Sequence, residues 1–125
     1  LTFEEQLEIG VAIYLGMMVK DSEMRQIFKR NFNSKEKIST ISLKFLNMMG
    51  WLIRTLLRNS DDLPILLKNL GMRHNKFGVN IQHFAPMLES LHETFSHYFP
   101  NDYGIKEKYA IDYIFTLATQ LMMGQ

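Results

Sequence analysis

His74 sits in the run Leu70-Gly71-Met72-Arg73-His74-Asn75-Lys76-Phe77-Gly78-Val79, near the end of a helical stretch and just ahead of a Gly-Val break. An imidazole held there can bind a metal from one side. An isolated helical histidine is just as well an ordinary hydrogen-bonded surface or core residue. In the metal-binding reading its second ring nitrogen donates to a carbonyl one turn back, that of Leu70, which fixes the tautomer. The other three histidines are less suggestive. His83 lies just past the Gly-Val break. His92 and His97 are five apart on one helix, whereas a shared metal prefers three or four. There is no cysteine, which excludes disulfides and Cys-based zinc or iron–sulfur sites. No nucleophile elbow, phosphate-cradling glycine loop or catalytic carboxylate pair is present.

The elements that must position these side chains are helical almost throughout. Alternating strand patterns and Asn-Gly hairpin signals are missing. A first helix is predicted from about Phe3 to Val19, with Leu7, Val11, Tyr14, Leu15 and Met18 at helical spacing. A short second helix starts at Asp21-Ser22-Glu23, capped by Ser22 and ending near Phe28. The third runs from about Lys35 to Arg58, with a stripe of Ile38, Ile41, Phe45, Met48, Met49, Leu52 and Leu56. Asn59-Ser60-Asp61-Asp62 breaks it. Pro64 falls in the first turn of a fourth helix that ends around Asn75, with Gly78 as the stop. A fifth helix spans about Ile81 to Phe99, with Phe84, Leu88, Leu91 and Phe95 inward. Pro100 to Gly104 is a turn cluster. The last helix, about Ile105 to Met123, is apolar at Tyr109, Tyr113, Leu117 and Leu121.

A chain of 125 residues that is 46% hydrophobic is expected to form one compact domain, residues 1–125, with a real core. The net charge is +1. Its densest basic cluster (Lys29, Arg30, Lys35, Lys37) contains Glu36 and reads as a solvated face rather than a nucleic-acid surface. No apolar run reaches the roughly 18 residues of a membrane span, and no signal peptide is recognisable. A cytoplasmic location is the expectation. The chain opens on Leu1, which leaves room for a longer parent. Nine methionines suit irregular space around a bulky partner, or simply a core.

Taken together, the run Leu70-Gly71-Met72-Arg73-His74, Phe77-Gly78-Val79 and His83-Phe84, preceded by Asp61-Asp62-Leu63-Pro64, resembles the globin family. The likeness is to the neuroglobin, globin X and invertebrate neural types. Ser22 to Phe28 is similar to the globin C helix with its haem-stacking Phe28, and Phe32 to a second aromatic in the following corner. Tyr14 falls on the helix B position that overhangs the ligand site. Gly10 falls where globins place a close helix crossing. The resemblance implies an all-α globin fold of helices B, C, E, F, G and H around a haem pocket, with the A helix short or absent.

It also implies haem b (iron protoporphyrin IX), with His74 as the iron ligand. Phe28 would lie flat near the ring, and Phe32 beside it. Met48 or Met49 would face the gas. Leu70, Val79, Phe84 and Leu88 would wall the proximal and inner side, and His83 would lie close to a haem propionate. Spacing puts Phe45 opposite the iron, within one residue; Lys44 and Leu43 are its neighbours. None is the His or Gln that many globins carry there. Lys44 is a rival sixth ligand or a propionate partner. Tyr14 would donate a hydrogen bond to bound dioxygen; alternatively it is a core tyrosine bonded to a backbone group.

The implied function is reversible binding of oxygen or another diatomic gas (O2, NO, CO) for sensing, storage or redox signalling, rather than bulk transport. Two alternatives stay open. One is haem-dependent redox activity, such as nitric oxide dioxygenation, nitrite reduction or superoxide and peroxide chemistry, for which a reductase partner would be needed. The other is a haem-free, globin-like interaction or sensor domain. A monomer or homodimer is expected, with a reductase or signalling partner, no nucleic-acid partner and no membrane span.

Overall fold

The structure, a computed structural model, describes residues 2–58, 63–76 and 78–123. Within them α1 (Phe3–Lys20) opens on a capping box: the Thr2 hydroxyl accepts from the Glu5 N–H, and the Glu5 carboxylate accepts from the Thr2 N–H. The second helix, α2 (Ser22–Asn31), is capped by Asp21 rather than Ser22. Its carboxylate accepts from the Glu23 and Met24 N–H groups, and a full negative charge there meets the helix dipole better than a hydroxyl does. This helix continues past Phe28 to Asn31. Only Phe32, Asn33 and Ser34 then join it to α3 (Lys35–Leu57).

Next comes α4 (Leu63–Lys76). It is followed by Gly78 at φ 84°, a left-handed turn that glycine adopts without Cβ strain. A single 3-10 turn, Ile81–His83, leads into α5 (Phe84–Tyr98), so the first turn of the expected fifth helix is wound more tightly than the rest. The last helix is α6 (Ile105–Met122). The expected break at Asn59 to Asp62, and Phe77 of the histidine run, lie outside the described residues.

The central element is α1, which packs across α3 on one side and α5 on the other. Both crossings use small residues. A Cβ on Gly10 would lie 2.9 Å from the Ser42 carbonyl oxygen, so only glycine lets α3 come this near. Gly16 faces Ser90, whose hydroxyl donates to the Ile13 carbonyl at 2.6 Å. Ile9, Ile13 and Met17 of α1 are buried with Met24, Phe28, Met87, Leu91 and Phe115. Each such side chain contributes roughly 1.5–3 kcal/mol on burial. A second, smaller core joins Leu52 of α3, Leu67 of α4 and Ala118 of α6. The pair α4 and α6 packs closely; among the described residues α3 and α4 do not.

Two expected faces differ. On α6 the buried residues are Phe115, Ala118 and Thr119, while Tyr109 and Tyr113 are 71% and 70% exposed. On α1 the buried set is Ile9, Ile13, Tyr14 and Met17, and Leu15 is exposed. Both helices carry apolar residues on more than one side, so periodicity alone offers two stripes and does not choose between them. Among the described residues no helix is long and apolar enough to cross a membrane.

Candidate functional site

His74 is on the last turns of α4, half-buried, with its ring 5.9 Å from that of Phe84. Its Nδ1 is 2.8 Å from the Leu70 carbonyl oxygen. A carbonyl only accepts, so Nδ1 carries the proton, and in the neutral ring Nε2 is left as a lone pair. No described residue bonds that Nε2. The helix therefore anchors one nitrogen and presents the other in the form a metal needs. Among the described residues no three His, Asp or Glu side chains converge on a point. A metal held at His74 must bring its remaining ligands with it, as a porphyrin does.

The aromatic wall is built from three helices. The Tyr14 ring of α1 lies 5.1 Å from Phe28 of α2 and, edge-on, 5.7 Å from Phe45 of α3. Phe32 lies against Phe28, ring centroids 5.0 Å apart and tilted by 41°. Tyr14 is buried, yet no described residue exchanges a hydrogen bond with its hydroxyl. A core tyrosine ordinarily finds a backbone partner; this one does not. Burial alone raises its pKa well above the usual 10.0, so the phenol stays protonated and able to donate.

The other expected residues fall as follows. Met49 and Val79 are buried in the Tyr14 core, with Phe84 and Leu88 packed against it. Met48 is half-buried. Leu70 offers His74 its carbonyl, but its side chain joins the smaller core with Leu67. Lys44 is exposed on α3. Ile41, one turn before Phe45 on α3, packs against the same core and was not picked out by counting from His74. It flanks Ser42, the residue that meets Gly10. Phe115 of α6, 6.2 Å from Phe84, was likewise missed; nothing in its spacing separates it from the other apolar positions of α6.

His83 is placed differently from the expected propionate contact. It is only 2% exposed, its Nδ1 accepts from the Asn80 N–H at 3.0 Å, and its Nε2 lies 3.3 Å from Glu23 Oε2. Both nitrogens are used in joining the 3-10 turn to α2. His92 is also doubly bonded, Nδ1 to the Tyr103 hydroxyl and Nε2 to Asp112 Oδ1, each at 2.6 Å. His97 is exposed.

Compared with known proteins, the chain matches the family model described as Globin over residues 11–121. No curated relative matches it.

Proposed function

The chain belongs to the globin family, and from that premise we propose that it holds haem b on His74 and binds oxygen or another diatomic gas reversibly on the Tyr14 side. Sensing, storage or redox signalling is the role that such binding would serve. The observation that carries this reading is the Nε2 of His74, without a partner among the described residues, on a ring whose other nitrogen is anchored to Leu70. When bound, haem iron supplies the reversible bond to the gas; the protein supplies everything that tunes it.

Anchoring by Leu70 keeps the His74 ring from rotating and raises its basicity as a ligand. Phe28 offers an apolar face for the ring, and Phe84 backs His74 on the inner side. Lys44, exposed on α3, is a cation for a propionate at the rim. α3 contains no histidine, and Ile41 and Phe45, packed against the Tyr14 core, carry no ligating atom. The unpartnered Tyr14 hydroxyl is then the polar group that singles out a gas with partial negative charge on its outer atom.

Spectra of the purified protein, ferric, ferrous and with carbon monoxide, test this. The expectation is a Soret band that shifts on reduction and again on adding carbon monoxide, with a high-spin ferric form at neutral pH. A protein that stays colourless after incubation with haemin overturns the reading. Tyr14→Phe is expected to speed oxygen dissociation about tenfold to a hundredfold, the equivalent of one hydrogen bond of about 1–3 kcal/mol. An unchanged off-rate in stopped-flow removes Tyr14 from the gas site.

A further inference from the structure

On its outer side α1 lines a long apolar groove that shares Phe28 and Phe32 with the haem reading but not His74, Tyr14 or Phe45. Leu7, Val11, Leu15 and Met18 follow one another at helical spacing along its floor, and Phe32 and Tyr98 wall it. The three residues that join α2 to α3, Phe32 to Ser34, lie along it. Leu15 is 50% exposed. The cavity volume is about 1160 Å³, enough for a ligand larger than most small molecules. From Glu4 to Met18 the helical rise makes it about 21 Å long.

Its rim is charged unevenly. Arg25 and Lys29 stand one turn apart on α2, and Lys35 opens α3. None of the three has an ion-pair partner among the described residues, whereas Lys20 on α1 is held by both Glu89 and Glu93 of α5. The acids of the rim, Glu4, Glu5 and Glu8, all lie in the first two turns of α1, and Glu5 is engaged in the capping box with Thr2. A long hydrocarbon floor, rimmed by three cations that have no ion-pair partner among the described residues, selects the sign of a head group. We propose that this groove binds a free long-chain fatty acid, its chain along Leu7, Val11, Leu15 and Met18 and its carboxylate at Arg25 and Lys29. The site is separate from His74, and the proposal does not depend on haem.

Titration of the protein with oleate by isothermal calorimetry, below the micelle concentration, tests it. The expectation is one saturable site. Oleyl alcohol and oleylamine, with the same chain, should bind at least about tenfold more weakly, and the double variant Arg25→Glu, Lys29→Glu should lose a similar factor for oleate. Leu15→Asp, at an exposed position, should weaken oleate binding without altering the helical circular dichroism. No saturable binding, equal binding of oleate and oleylamine, or undiminished binding by the double variant overturns the proposal. So does a chain that is dimeric in sedimentation, with oleate excluded from the groove. Should the double variant fail to fold, the comparison of the three head groups decides alone.

Discussion

His74 and His83 flank the same Gly78 turn, and their surroundings are opposite. His74, at the end of α4, is half-buried and uses one nitrogen, on Leu70. His83 is buried, uses both, and ties the 3-10 turn before α5 to Glu23 at the start of α2. The sequence offers two histidines of equal chemical capability; the hydrogen-bond inventory separates them. A ring with both nitrogens committed is part of the scaffold. A ring with one nitrogen anchored and the other unpaired is available to a ligand. The same test applied to tyrosines separates Tyr14, whose hydroxyl has no partner among the described residues, from Tyr103, bonded to His92.

The contrast is sharpest in stability. His83→Ala leaves a hole and an Asn80 N–H without its acceptor, and is expected to cost about 3 kcal/mol in urea unfolding. His74→Ala in the haem-free chain removes a half-buried ring bonded to a carbonyl that the helix already satisfies, so a change below about 1 kcal/mol is expected. Equal losses for the two variants would erase the distinction. A smaller effect concerns the tyrosines at high pH. Burial, with Asp112 and Glu107 nearby, raises Tyr103 from 10.0 to about 12, and burial raises Tyr14 in the same direction. The unfolded chain gives up these protons first. Stability from this source is complete below pH 10 and is lost as pH rises from about 10 to about 12. Thermal melts across that range should show a shallower decline for Tyr103→Phe than for the wild type; parallel declines would mean that the environment of Tyr103 does not matter.

Much of this was legible in the sequence, for identifiable reasons. Helix ends marked by local chemistry, such as Gly78 after α4 and the turn cluster before α6, could be placed because the signals are local. Gly10 could be assigned to a close crossing, and Ser42 is what it crosses. The Leu70 carbonyl could be named as the partner of His74 because the bond spans one helical turn. The double bonding of His83 could not, since Glu23 is 60 residues away in sequence. The buried face of α6 could not either. Tyr109 and Tyr113 are as apolar to a periodicity argument as Phe115, and only the positions of α4 and α5 against α6 decide which side is covered. The α2 cap illustrates a near miss: Asp21 and Ser22 are both good caps, and the geometry selects the charged one.

The central claim is that the unpaired nitrogen of His74 is what holds the iron. Haemin titrated into the wild type and into His74→Gly, followed through the Soret band with and without added imidazole, tests it most directly. The account predicts stoichiometric uptake by the wild type, a weak and displaced band in the variant, and recovery of the wild-type band when imidazole fills the vacated position. A variant that takes up haemin with the wild-type spectrum and no need for imidazole would contradict it.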